Sequence, residues 1–165
     1  MLKTIRGFIP FDSVSEDLGF REVIRPSAFD KTLADKGADV LGLVEHDRAR
    51  FLGRRASGTL RLEKTRTGLQ WEVDVPDTST GRDAAALVAR NDLAASSFAF
   101  VLRNSAGERW SVAADGNVVR ELLDVALVDC SAVLTPAYPA ATVSGRGAAR
   151  ASSEALRRRN DHAGL

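Results

Sequence analysis

His46 is one of only two histidines in the chain, the other being His162. It stands where an apolar run, Val40 to Val44, meets two acids, Glu45 and Asp47. An imidazole at a strand end can be oriented by a carboxylate and still reach a cleft, as a general base must. The plain alternative is a surface histidine with acidic neighbours. A hydroxyl for such a base to activate is offered by Ser96-Ser97-Phe98-Ala99-Phe100. At the two-residue period of a strand, Ser96, Phe98, Phe100 and Leu102 share one face while Ser97, Ala99 and Val101 share the other. The aromatic face belongs to a core. Ser97 then stands among small side chains where a substrate chain can approach, unless both hydroxyls are incidental to a strand start. A carboxylate is offered by Asp129, charged within the apolar run Leu127 to Val133. Buried there it needs a partner: a helix end, an arginine, or the Nδ1–H of a histidine. An ordinary salt bridge is the competing explanation, and Asp124 is a second candidate for the same role.

Together His46, Ser97 and Asp129 could form an acyl-transfer triad in the chain order His, Ser, Asp. That order differs from those of the familiar serine hydrolases, and no Gly-x-Ser-x-Gly elbow is present. The single cysteine, Cys130, is a poor nucleophile, because apolar neighbours and an adjacent acid raise a thiol's pKa. One cysteine and two histidines also exclude a disulfide framework and the usual Cys- or His-rich zinc sites. The expectation is therefore a site with no metal and no cofactor. Lys and Arg number 23 against 22 Asp and Glu, a net charge of +1, which gives no general pull toward nucleic acid or membrane. No run of about 18 apolar residues marks a membrane-spanning helix, and the N-terminus lacks a signal-peptide core, so a cytoplasmic chain is expected.

The elements that must position these groups are mostly short strands. Lys3 to Phe11 and Gly19 to Arg25 are rich in β-branched and aromatic residues. Pro26-Ser27 opens a helix that Ser27 can cap, with Phe29 and Leu33 four apart and Gly37 able to end it. Val40 to Val44 is a buried-type strand. Gly58 to Leu62 and Leu69 to Val75 alternate at period two around the hairpin signal Thr65-Arg66-Thr67-Gly68. A second helix, rich in alanine, is expected over about Arg82 to Arg90. Strands follow at Ser96 to Arg103, Arg109 to Ala113, and Asn117 to Thr135 with a break near Leu123-Asp124. Many short strands and two helices in 165 residues point to a mainly β, α+β fold closed into a small barrel, which removes sheet edges. From Ser144 the composition changes: half of 144–165 is Ala, Gly and Ser, with five arginines against two acids. The expected organisation is a barrel over 1–143 and a basic tail over 144–165 that holds His162 and lacks the apolar content to fold.

In their order these features resemble the prohead proteases of tailed phages, capsid-maturation serine proteases related in fold to the herpesvirus assemblins. The resemblance is carried by Phe20-Arg21-Glu22-Val23-Ile24-Arg25-Pro26-Ser27-Ala28-Phe29, Glu45-His46-Asp47, Leu52-Gly53-Arg54, Gly58-Thr59-Leu60-Arg61-Leu62 and Ser97-Phe98-Ala99-Phe100. It ends with Leu127-Val128-Asp129-Cys130-Ser131 and the run on to Pro139, so it spans about 3–143. It implies His46 as the base, Ser97 as the nucleophile and Asp129 as the third member, where the family more often has Glu. Glu45 stands where the family commonly has Asn, and Ser27 where it commonly has Gly. The resemblance further implies a serine endopeptidase inside the immature capsid in the bacterial host cytoplasm. Its substrates would be scaffold or the delta region of the major capsid protein, and the protease itself. Homodimer formation is left open, with no nucleic-acid or membrane partner. Oxyanion donors would be backbone N–H groups or an arginine, with Arg54 and Arg55 read as facing solvent. Two readings compete: a catalytically inactive barrel that binds or assembles, and a small-molecule serine hydrolase. The tail could bind capsid or scaffold, or be a cleavage substrate.

Overall fold

The computed structural model describes residues 1–146 of the chain. Eight strands form one curved sheet. In chain order they are β1 (Thr4–Pro10), β3 (Leu41–Val44), β4 (Asp47–Arg54), β5 (Leu60–Lys64), β6 (Gly68–Asp74), β7 (Ala95–Leu102), β10 (Val125–Val133) and β11 (Thr142–Arg146). Their spatial order is β4-β3-β10-β7-β11-β1-β6-β5, antiparallel except for the parallel pair β3 and β10. The two ends of this order come back toward each other. The Arg54 N–H at the end of β4 donates to Thr59 Oγ1, just before β5, at 2.9 Å. Gly53 permits the approach: a Cβ there would lie 2.7 Å from Val73 Cγ2 and 2.8 Å from Thr59 Oγ1. The result is a nearly closed eight-stranded barrel of the kind the strand pattern predicts.

Ile5, Ile9, Val44, Leu52, Leu60, Leu69, Trp71 and Val73 fill the interior. A second, smaller sheet joins β2 (Arg21–Ile24), β9 (Val118–Leu122) and β8 (Glu108–Val112) in that order, and it is distinct from the barrel. The expected strand Asn117 to Thr135 is thus divided between two sheets, broken at Leu123-Asp124 as the sequence signals.

Helix α1 is shorter than its sequence suggests, Asp30–Ala34. Ser27 does not cap it. Its hydroxyl donates to the Leu123 carbonyl at 2.9 Å, while residues 26–29 form a turn that buries Ala28 and Phe29. The C-terminal carbonyls of α1 are closed by Arg55, whose guanidinium donates to Thr32, Leu33 and Asp35 at 2.7–3.0 Å. Arg55 therefore serves as a helix C-cap and does not face solvent freely. Helix α2 (Ser79–Ala89) is capped by Thr78, whose hydroxyl accepts from the Gly81 N–H at 3.1 Å, and it buries Ala84, Ala85 and Val88. Two barrel strands were not expected. β4 is charged and mostly exposed over Asp47–Arg50, and β11 reaches three residues into the segment expected to be tail. The rest of that segment, 147–165 with His162, lies outside the described residues.

Candidate active site

Strands β3, β10 and β7 lie side by side, and each supplies one part of the site. On β7 the alternation works as expected. The Ser96 hydroxyl points inward and accepts from the buried Trp71 Nε1–H at 2.8 Å. Phe98 and Phe100 continue that inner face; Phe98 lies edge-on to Phe29 with centroids 5.4 Å apart. Ser97 is turned to the outer face. On the neighbouring strand Ser131 is its direct cross-strand partner, and Asp129 lies two residues away on the same face.

His46 reaches that face from a tight turn. Val44 and Asp47 pair as the ends of the β3–β4 hairpin, leaving Glu45-His46 as a two-residue loop. Both loop residues have φ of +55°, the signature of a type I′ turn. Neither is Gly, Asn or Asp, so each holds an uncommon conformation at a cost of about 1–3 kcal/mol. Contacts from β10 and from Leu134 just beyond it hold the turn. The Glu45 N–H donates to the Ala132 carbonyl at 3.0 Å, the Leu134 N–H donates to the Glu45 carboxylate, and the His46 N–H donates to Ser131 Oγ at 3.2 Å.

Held in this way, the imidazole bridges the other two groups. Its Nδ1 lies 2.7 Å from Asp129 Oδ1 and its Nε2 lies 2.9 Å from Ser97 Oγ. Asp129 is buried, Ser97 half-buried, and the His46 side chain remains 36% exposed, so the chain of hydrogen bonds runs from the interior to the open face. The hydrogen bond to Asp129 raises the imidazole pKa above its ordinary 6.5. Partial burial opposes that rise, and the charges of Asp129 and Glu45 add to it. Asp124 is placed elsewhere, paired with Lys31 and Arg103. Arg54 is engaged by Asp39. Cys130 is fully buried between core strands, and burial followed by the nearby Asp129 charge pushes its thiol pKa well up. Among the described residues no cluster of three or more His, Cys, Asp or Glu side chains is arranged to hold a metal ion.

Sequence reasoning gave no role to Ser131 or to the Glu45 tether. Ser131 was detectable as the residue two beyond Asp129, hence on the same strand face. The tether was not, because it depends on a turn that the residue types do not announce.

A hydroxyl, an imidazole and a buried carboxylate hydrogen-bonded in series form the working arrangement of serine hydrolases. In it the imidazole can take the hydroxyl proton while the carboxylate fixes its tautomer. The sequence model of the caudovirus prohead serine protease family matches residues 2–158, and the chain belongs to that family. It is therefore a serine peptidase of phage capsid maturation, acting on capsid proteins in the immature capsid. No curated protein and no solved structure matches the chain.

Proposed function

We propose that Ser97 is the nucleophile of this protease, His46 its general base and Asp129 the carboxylate that orients and charges-balances the imidazole. The observation that carries the assignment is the unbroken series Asp129–His46–Ser97, at 2.7 and 2.9 Å. In the acylation step the Ser97 oxygen bonds to the scissile carbonyl carbon while its proton passes to His46 Nε2. Collapse of the tetrahedral intermediate breaks the C–N bond, and the same proton goes to the leaving amine. Water, deprotonated in turn by His46, then releases the acyl group and restores Ser97.

The proposed substrates are the scaffold or the delta region of the major capsid protein, and the protease itself. An extended polypeptide suits the site better than a small molecule. β11 pairs with β7 only at Ala95, so among the described residues the strand edge beyond the nucleophile has no strand partner in the sheet. The Ser96 N–H points to the β11 side, toward the Ala141 carbonyl. By alternation, Phe98 and Phe100 present their backbone groups on that same free edge, where a substrate strand could add. All three side chains come from one chain, so no second copy contributes a member of the proposed triad.

The test is co-expression with the cognate capsid and scaffold proteins. Wild-type protein should yield shortened capsid protein, and Ser97→Ala and His46→Ala should each yield uncleaved proheads. Normal processing by Ser97→Ala would remove the assignment.

A further inference from the structure

Ser131 belongs to no step above, yet among the described residues its hydroxyl is the one group that touches both the carboxylate and the backbone of the base. Its side chain is completely buried. Oγ donates to Asp129 Oδ1 at 2.9 Å, the same oxygen that faces His46 Nδ1, and accepts from the His46 N–H at 3.2 Å. A hydroxyl has one proton to give and lone pairs to receive, so both bonds are made at once. Its strand position accounts for this reach: Ser131 is paired with Leu43 on β3 and with Ser97 on β7, midway between the strands that carry the base and the nucleophile.

We infer that Ser131 is a positioning residue for the protease reaction, tying the strained His46 turn to Asp129 and moderating the charge that Asp129 presents to the imidazole. The inference rests on the His46–Asp129–Ser97 assignment. Two physical consequences follow. Without the hydroxyl the His46 N–H loses its partner, and a left-handed residue with fewer restraints samples other geometries. Without the donated proton, Asp129 Oδ1 keeps its negative charge undivided and holds the imidazolium more tightly. Among the described residues the other charges on the elements packed around the ring are few. Glu45 shares its turn, and β4 carries Asp47, Arg48 and Arg50, with the Asp47 carboxylate accepting from the Ala49 N–H at 2.9 Å. β3 and β7 bring no ionisable side chain.

The experiment compares full-length wild type, Ser131→Ala and Ser131→Thr, with kcat, KM and the pH dependence of kcat/KM measured on a peptide from the processed capsid junction. Ser131→Ala should lower kcat roughly tenfold to a hundredfold with KM little changed, as loss of a residue that orients a catalytic group does. It should also move the acidic limb of the profile upward by about half a unit or more. Ser131→Thr, which keeps the hydroxyl, should restore both. In parallel, NMR titration of His46 in a Ser97→Ala background reads the imidazole directly, with His162→Gln assigning the only other histidine. The His46 midpoint should rise when Ser131→Ala is added. An unmoved or lowered midpoint, or a kcat loss that Ser131→Thr fails to recover, overturns the inference. Should Ser131→Ala fail to fold, Ser131→Cys, a weaker donor of similar shape, is read by the same titration with the same direction expected. The two failures are distinguishable: full activity in Ser97→Ala removes the site assignment, whereas a dead Ser97→Ala with an unmoved midpoint removes only Ser131.

Discussion

Two regions of this molecule bury carboxylates, and they treat them in opposite ways. At the small sheet, Glu121 is bound by Arg25 and Arg109, and Glu22 by Arg120 and the Tyr138 hydroxyl, the latter at 2.6 Å. The Arg120 guanidinium also lies 5.4 Å from the centre of the Phe100 ring. Arginine does not release its proton in the working range, so the cationic side of this network is permanent. At the barrel, Asp129 is bound instead by a histidine, whose charge changes near neutrality. Both regions meet on β7, with Phe98 and Phe100 facing the network side and Ser97 facing out. The difference separates a permanent ion-pair network, which braces the strand, from a switchable pair that can do proton transfer.

The sharpest way to separate them is by substitution at adjacent serines. Ser97→Ala should cut proteolysis by roughly four orders of magnitude or more, with thermal stability unchanged. Ser96→Ala should do the reverse. It leaves the buried Trp71 N–H without an acceptor, at a cost of about 1–3 kcal/mol in denaturant unfolding, while activity per folded molecule persists. Tyr138→Phe, in the network, should likewise cost about 1–3 kcal/mol by removing the O–H donor to Glu22, again without loss of the site's chemistry.

pH should divide the regions with opposite signs. The Arg109 and Arg25 hydrogen bonds hold the Glu121 carboxyl down at about 2, against an ordinary 4.5. The stability this contributes is present above pH 4.5 and is lost as pH falls toward 2. The imidazole of His46 is raised above 6.5, so its pair with Asp129 stabilises fully below that value and weakens as pH rises through the folded pKa. With His46 as the proposed base, catalysis would need the neutral imidazole, so activity should climb over the same interval in which that stabilisation fades. Urea unfolding and kcat/KM measured across pH 2–9 would show two separate windows. The smallest effect expected is from Glu45→Gln: loss of its charge should lower the acidic limb slightly, by less than Asp129→Asn changes it.

The sequence made the two faces of β7 legible, because strict alternation of Ser, Phe and Ala leaves only one arrangement for a half-buried strand. It also revealed His46 at a strand end and Asp129 as a charge among apolar residues. β4 escaped notice because Asp47–Arg50 is charged and irregularly paired, with register shifts opposite Leu43. β11 escaped because Thr142–Arg146 is ordered by its pairing with β1, a contact between distant parts of the chain that small residues do not advertise. The type I′ turn was hidden for a related reason. Its residues, Glu45 and His46, are poor formers of that turn, and tertiary bonds from β10 hold them in it. The helix cap at Ser27 failed because α1 begins only at Asp30, so Ser27 lies in the turn before it, where its hydroxyl donates to the Leu123 carbonyl.

The central claim is that Ser97, and no other hydroxyl in the chain, is activated by His46. Labelling proheads with a fluorophosphonate and mapping the adduct by mass spectrometry tests it most directly. The account predicts one adduct, on Ser97, formed faster as pH rises with a midpoint above 6.5 and abolished in His46→Ala. An adduct on Ser96 or Ser131, or labelling of Ser97 that is indifferent to His46, would contradict it.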